Sequence, residues 1–166
     1  MTIATPANFK DAMSRFPSGV TIVSTTDNAG RHWGFTASSF SSLSMDPPLV
    51  LVCLANKAES YQAFMGATHF AINLLSNEQK EIAMHFARKN ADKFSGNAFV
   101  YGAGNEPPHL PDSMAALICR AHAPHIAGDH TILIGEVEKV HIGSDEPLVY
   151  FNREFWQLTA EAVETA

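Results

Sequence analysis

The sequence WGFTASSFSSLSMDPPLVLVCLANK, residues 33 to 57, decides how the rest of the chain is interpreted. It starts with the end of a predicted strand, continues through small hydroxyl residues from Thr36 to Ser44, and stops at Asp46-Pro47-Pro48. An apolar run from Leu49 to Leu54 follows. A run of this length between turn signals is typical of a buried strand. The hydroxyl segment is too polar for a core and too poor in charge for an ordinary solvated loop.

That hydroxyl segment has two interpretations. Its side chains, and the backbone N–H groups between them, suit a ligand with many hydrogen-bonding atoms, such as a phosphate, a ribityl chain or the edge of a heteroaromatic ring. Alternatively, the segment is a Ser-rich connection between strands whose hydroxyls cap their own backbone. Composition alone leaves both open.

About seven strands and two or three helices predict a mainly β fold. Thr5-Pro6 suits the start of one helix, and Ser76 starts another because Gln79 completes a capping box. A further short helix is predicted around residues 59–65. We therefore expect a closed antiparallel barrel with two or three peripheral helices. The predicted strands are 20–24, 31–35, 49–54, 69–75, 115–123, 130–142 and 148–151, with 115–123 and 130–142 paired and joined at 127–129.

Length and composition bound the class of protein. The 166 residues fit one domain, residues 1–158, followed by a polar tail, 159–166, that we expect to fray. The formal charge of −6 and the lack of a basic patch argue against a nucleic-acid surface. The first residues, MTIATPANFKDAM, predict no secretory signal, and no apolar stretch is long enough to span a membrane. Cys53 and Cys119 lie far apart in apolar runs, which favours buried, reduced thiols and a cytoplasmic protein.

Common catalytic motifs are missing from the sequence. Gly102-Ala103-Gly104 lacks the third glycine of a dinucleotide-binding fold, and there is no Walker sequence or G-x-S-x-G elbow. His122 and His125 are three residues apart, so on a strand they point to opposite faces, and we expect no metal site. His130 is a separate candidate because it follows Gly128-Asp129 at the start of a strand, where a barrel rim is exposed.

Five blocks, in order along the chain, together cover nearly all of it. They are RFPSGVTIV (15–23), GFTASSFSSLSMDPPLVLVCL (34–54), FAINLLSNEQKEIAMHFA (70–87), AGDHTILIGEV (127–137) and PLVYFNREFWQL (147–158). These blocks resemble the short-chain flavin reductase family, the reductase partners of two-component flavin monooxygenases. The resemblance implies an FMN-binding split β-barrel and a homodimer with flavin close to the subunit interface.

The resemblance also implies a flavin site. In the family, the region of Ser38 and the elbow after the apolar strand contact the ribityl-phosphate part, and Thr36 and Ala37 face the isoalloxazine ring. Cys53 stands where relatives often have a small polar residue. The scarce cations near these segments are expected at the phosphate. The complete expected set is Thr36, Ala37, Ser38, Ser39, Cys53, Leu54, Ala55, Asn56, Lys57, Ser60, Arg88, Lys89 and Phe151.

The nicotinamide side of the implied site centres on His130, in the family's Gly-Asp-His motif, as the catalytic candidate. Phe151 is expected nearby, at a position where many relatives have Tyr. The implied activity is NAD(P)H:flavin oxidoreductase, in which NADH or NADPH gives a hydride to FAD or FMN, and the reduced flavin serves a separate oxygenase. Two alternatives remain: a non-enzymatic flavin-binding or redox-sensing module, and a pyridoxamine-phosphate-oxidase-like FMN oxidase. The choices between FAD and FMN, and between NADH and NADPH, stay open.

Overall fold

The computed structural model describes residues 3–96, 99–103, 106–143 and 146–158, so the predicted tail, 159–166, lies outside the described residues. The chain begins with helix α1 (Pro6–Ser14). Its start follows the predicted capping, because the Thr5 side chain accepts from the backbone N–H of Asn8 and the Asn8 side chain accepts from that of Thr5. No residue of α1 is buried, so this helix lies on the outside of the protein.

The strands form one large antiparallel sheet and one small one. The large sheet has eight strands in the order β3-β2-β6-β7-β9-β5-β4, with β8 paired to β9, and the small sheet has the order β1-β10-β11. The strands are β1 (Ser18–Gly19), β2 (Thr21–Thr26), β3 (His32–Ala37), β4 (Ser41–Met45), β5 (Pro48–Ala55), β6 (His69–Leu74), β7 (Ala115–Ala121), β8 (His125–Ala127), β9 (His130–Ile142), β10 (Leu148–Phe151) and β11 (Glu154–Gln157).

Two further helices follow the predicted positions. Helix α2 (Tyr61–Gly66) leads from β5 to β6, and α3 (Lys80–Ala87) follows a 3₁₀ turn at Asn77–Gln79. The predicted capping box is present, since the side chain of Gln79 accepts from the backbone N–H of Ser76 and the Ser76 side chain accepts in return. Among the described residues, no helix is both long enough and apolar enough to cross a membrane.

The predicted mainly β class is confirmed, but the expected closed barrel is an open, curled half-barrel. Its two edges are β3 and β4, and no ladder joins them among the described residues. The free edge of β3 instead meets α3, where the Thr36 hydroxyl donates to the carbonyl of Ala83 at 2.6 Å. A helix therefore stands where a closed barrel would have a neighbouring strand.

Two local expectations were wrong. The hydroxyl segment contains strand β4, which pairs with β5 and leaves four of its five residues exposed. An edge strand with a solvated face can carry serines, so polarity did not exclude a strand there. The second concerns a connection: the predicted pairing of β7 with β9 is confirmed, across a bulge between Ile118 and Cys119, but the turn at residues 128–129 joins β8, and not β7, to β9.

The core has two parts. One fills the curl of the large sheet and includes Val52, Phe70 and Ile72, each at most 2% exposed. The other lies under α3 and the small sheet and centres on Phe86, which contacts the ring of Phe99. These two cores fix β5 on one side and the end of α3 on the other, and the ends of both elements meet at the cleft described below.

The packing of Gly135 on β9 gives a test of the core. A Cβ added at Gly135 would lie 2.6 Å from both the Cβ of Cys119 and the Cζ of Phe70. Because these buried atoms cannot easily move away, we expect Gly135→Ala to lower the free energy of unfolding by about 1–3 kcal/mol in urea titrations. The control is Gly19→Ala, where the added Cβ meets nothing within 4 Å. Equal stability of the two variants would contradict this packing.

Candidate functional site

A cleft of about 440 Å³ opens where β3, the end of β5 and the end of α3 meet. We call it the main cleft. Its size is that of a small-molecule site. It brings together all the predicted site residues except Asn56 and Phe151. Its lining consists of Phe35, Thr36, Ala37, Ser38, Ser39, Cys53, Leu54, Ala55, Lys57, Ala58, Glu59, Ser60, Phe86, Ala87, Arg88, Lys89, Lys93 and His130.

Two of the predicted hydroxyls serve the fold as well as the cleft. Thr36 donates its hydroxyl hydrogen to Ala83 and so ties β3 to α3. The Ser39 hydroxyl accepts from the backbone N–H of Cys53 at 3.0 Å and ties the connection after β3 to β5. Both oxygens keep lone pairs for a ligand, but neither side chain is free to rotate. Ser38, between them, is exposed at the cleft.

Ser60 differs from these hydroxyls. It is only 4% exposed, it lines the cleft, and as the N-cap of α2 it makes no side-chain capping hydrogen bond. Its hydroxyl can therefore bond to a ligand in the main cleft, which makes Ser60 a hydroxyl candidate of the site. Among the described residues, the side-chain nitrogen or oxygen that is fully buried without a partner is Nδ1 of His109, which does not line the cleft.

The lining of the cleft includes several cations. Lys57, Arg88 and Lys89 are exposed there, the last two directly after α3. Lys93 also lines the cleft, and its Nζ donates to the carbonyl of Gly34 at 3.1 Å. Burial lowers the pKa of Lys93, and the charge of Glu59 opposes that shift. The scarcity of cations that drew attention to Arg88 and Lys89 in the sequence applied equally to Lys93, so this residue could have been predicted.

Asn56 does not line the main cleft, but its hydrogen bonds stabilise the turn beside it. Its Nδ2 donates to the carbonyl of Gly128 at 3.2 Å, and its Oδ1 accepts from the hydroxyl of Thr131 at 2.8 Å. Thr131 is fully buried, and its oxygen lies 3.2 Å from the Tyr61 hydroxyl, which donates because the Thr131 hydrogen is already used. The backbone N–H of Asn56 also donates to Asp129. The side chain of Asn56 therefore positions the turn before β9.

That turn presents His130 to the cleft. His130 is paired with Ala55 across the β5–β9 ladder, its side chain is 48% exposed, and its Nδ1 donates to Asp129 Oδ1 at 2.8 Å. This hydrogen bond, with the charges of His130 and Lys57, lowers the pKa of Asp129. The other ring nitrogen, Nε2, has no hydrogen bond to a described residue, and so it is available to a ligand.

Phe151 lies away from the main cleft, with its ring against Trp156. Its neighbour Tyr150 instead lines an adjoining cavity of about 360 Å³, the side cavity, which shares Thr36, Ala37 and Ser38 with the main cleft. Successive residues of a strand point to opposite faces of the sheet, so the side chains of Tyr150 and Phe151 lie on opposite faces of β10. The structure thus places Tyr150, the residue next to the predicted one, at the cavity that adjoins the main cleft.

The two cysteines lie in different environments. Cys53 is half-buried in the main cleft, whereas Cys119 is buried in the core, and both are free thiols. Burial, with a smaller contribution from the charge of Glu138, raises the pKa of Cys119 to about 12. Cys119 is therefore a packing residue, and of the two thiols only Cys53 can contact a ligand in the cleft. Within the described residues, no cluster of three or more His, Cys, Asp or Glu has the arrangement of a metal site.

Residues 13–159 match the family model of the flavin reductase like domain. This match covers most of the chain, and with the relatives below it shows that the chain belongs to the flavin reductase family. The protein is accordingly a flavin reductase.

Three curated relatives align over nearly the whole chain. The actinorhodin polyketide dimerase of Streptomyces coelicolor is 46% identical, over 92% of this chain and 86% of its own. The NADH:riboflavin 5'-phosphate oxidoreductase of Streptomyces pristinaespiralis is 38% identical, with 90% and 86% covered. The reductase component of 4-hydroxyphenylacetate 3-monooxygenase of Thermus thermophilus is 36% identical, with 90% and 95% covered.

A solved structure supports the same placement. The NADH:FAD oxidoreductase SgcE6 of Streptomyces globisporus C-1027, in complex with NAD and FAD fragments, superimposes with a TM-score of 0.89. It is 30% identical, and the match covers 98% of this chain and 100% of that one.

The residues of the main cleft fit a flavin. Phe35, Leu54 and Phe86 give an apolar wall for a flat ring system, and Ser38 and Ser60 give hydroxyls for a polyol chain. The cations of the lining suit a phosphate. The combination of apolar, hydroxyl and cationic side chains in one cleft is what fits a flavin.

Replacing Ser60 tests this fit. Ser60→Ala removes one hydrogen bond to the ligand, worth about 0.5–1.5 kcal/mol, so we expect flavin affinity to fall by up to about tenfold in fluorescence titrations. The melting temperature of the free protein should hardly change, because Ser60 makes no capping hydrogen bond. The control is Ser42→Ala, an exposed position on β4 outside the cleft. If both variants bound flavin like the unmodified protein, Ser60 would have no role in the site.

Proposed function

We propose that the main cleft binds FAD or FMN and that reduced nicotinamide nucleotide gives a hydride to the flavin there, so that the protein supplies reduced flavin to a separate oxygenase. The observation that carries this proposal is a single cleft lined by apolar side chains, serine hydroxyls and cations, in a chain of the flavin reductase family. Relatives named as NADH:flavin oxidoreductases support it, and they do not favour either a passive flavin-binding module or an FMN oxidase.

The residues of the chain bind the flavin and the nicotinamide nucleotide, orient them and exclude water from the cleft. Bound flavin supplies a ring that accepts the hydride. Phe35 and Phe86 line the cleft beside Thr36, which the hydrogen bond to Ala83 keeps in place. Hydride transfer depends on alignment and a dry environment more than on an acid–base pair. A cleft built from small hydroxyls, apolar side chains and few charges suits that task.

His130 is proposed to face the nicotinamide nucleotide. It lines the main cleft, and its Nε2 is available while Asp129 holds Nδ1. Asn56 fixes the turn that carries it. A histidine held in this way can donate to or accept from a neutral group of the ligand without taking part in proton transfer.

The activity is tested by steady-state consumption of NADH with free flavin added in excess. We expect many turnovers per protein molecule with FAD or FMN as acceptor. Stoichiometric flavin binding without NADH consumption would instead identify a binding module.

His130→Ala tests the proposed role of that residue. We expect flavin affinity to stay within about twofold, while the KM for NAD(P)H rises or flavin reduction slows by about tenfold, the effect of one lost hydrogen bond. A loss of about 10²–10⁴ would instead indicate a general acid–base role. The control is His125→Ala, an exposed histidine on β8 that does not line the cleft. Unchanged kinetics in both variants would remove His130 from the site.

The partner is a separate oxygenase component, as the name of the Thermus thermophilus relative indicates for that protein. We also propose that the protein is a homodimer and that it acts in the cytoplasm. Support for the dimer comes from α1 and the residues directly after it, where Phe9, Met13 and Phe16 lie three or four residues apart and are 59%, 55% and 73% exposed. An uncovered apolar stripe of this kind is typical of a surface that contacts another protein.

The dimer is tested by light scattering. We expect about twice the monomer mass of 18.0 kDa at micromolar concentration. Replacing Phe9 and Met13 together by Glu should shift the protein towards the monomer, because a charge cannot be buried without a partner. Lys10→Glu, on the same exposed helix, is the control and should leave the mass unchanged. A monomer in the unmodified protein would contradict the proposal.

A further inference from the structure

A second cavity, of about 790 Å³, adjoins the main cleft. It lies between the turn that joins β2 to β3 and the segment Asn90–Phe94, and we call it the hairpin cavity. Glu59, Ser60 and Lys93 line both the hairpin cavity and the main cleft. The two spaces therefore meet at the buried Ser60 and the cationic Lys93, where the main cleft has the features of a phosphate site.

The outer wall of the hairpin cavity is fixed by hydrogen bonds. Asn90 has a left-handed backbone, with φ of 54°, and its N–H donates to both carboxylate oxygens of Glu59 at 3.0 and 3.2 Å. Lys93 donates to Gly34 on β3. The carboxylate of Asp92 accepts from the backbone N–H of Ser95. The two acidic groups of this wall are thus already paired with donors of the chain.

The opposite wall is a flat, cationic platform. The guanidinium carbon of Arg31 lies 4.1 Å from the centroid of the Trp33 ring. Asp27 holds both residues, since its carboxylate accepts from Trp33 Nε1 at 2.7 Å and from the backbone N–H of Arg31 at 2.9 Å. These hydrogen bonds, that from Trp33 first, lower the pKa of Asp27, so the carboxylate stays ionised at neutral pH. The platform is therefore formed before any ligand binds.

We propose that the hairpin cavity binds the adenosine diphosphate half of a dinucleotide, with the Arg31–Trp33 platform against its adenine or phosphates. A guanidinium stacked on an aromatic ring can stack on a purine with its free face and can also bind a phosphate with its N–H groups. This inference rests on the proposed function, because it takes the flavin to occupy the main cleft. A flavin whose phosphate lies near Ser60 reaches the hairpin cavity only if it carries an adenylate, so FAD is the preferred flavin.

The test compares FAD with FMN in Arg31→Ala. FMN is the matched control because it lacks only the adenylate. We expect the Kd for FAD, measured by flavin fluorescence, to rise about tenfold, the loss of one stacked cation and its phosphate contact. The Kd for FMN should stay within about twofold. Arg31→Lys, which keeps the charge but not the planar group, should lose most of the same affinity. Arg31 is exposed, and circular dichroism will confirm that both variants fold.

The outcomes are distinct. A selective loss of FAD affinity identifies FAD as the source of the adenosine diphosphate. A rise in the KM for NADH, with both flavins bound normally, also supports the site but assigns it to the nicotinamide nucleotide. Equal weakening of FAD and FMN, or no change for any of the three ligands, overturns the proposal. NADH-dependent reduction of FMN by the unmodified protein does not need the hairpin cavity, so that measurement separates a failure here from a failure of the proposed function.

Discussion

The side chain of Asn56 joins the two parts of the chain that the site needs. It makes hydrogen bonds to Gly128 and Thr131, and Asn56 itself directly follows β5. The turn before His130 is therefore fixed to the segment that leads from β5 to Ser60. The buried hydroxyl of Thr131 and the hydroxyl of Tyr61 complete this network. The side chain adds to the backbone pairing of Ala55 with His130, which joins the same two segments.

The hydroxyl segment after Trp33 has both of the roles that its composition left open. Thr36 and Ser39 satisfy backbone groups of α3 and β5, as a Ser-rich connection would. Ser38 and the more distant Ser60 face the main cleft without such bonds. The fold therefore uses some hydroxyls to fix the walls of the cleft and leaves others for the ligand. A cleft built in this way has fixed walls and keeps some hydroxyls and its cations available to a flavin.

Much of the fold could be predicted because local signals agreed with the tertiary structure. The N-cap Thr5 before Pro6 and the capping box at Ser76 marked helix starts correctly, and the apolar run before Asn56 is strand β5. Strand β4 was missed because an edge strand needs no apolar face. The sequence predicted Phe151 near the site, whereas Tyr150 lines the side cavity. Which of two adjacent residues faces a cavity depends on the register of strand β10, which one sequence does not reveal. The hairpin cavity depends on segments far apart in the chain, and no local pattern predicts it.

The central claim is that the main cleft holds a flavin where reduced nicotinamide nucleotide can reduce it. The most direct measurement mixes the protein and stoichiometric flavin with one equivalent of NADH, without oxygen, in a stopped-flow spectrometer. The account predicts that the visible absorbance of oxidised flavin disappears in a single turnover, far faster than in a mixture of flavin and NADH alone. Loss of absorbance at the rate of that protein-free mixture, although flavin is bound, would contradict it.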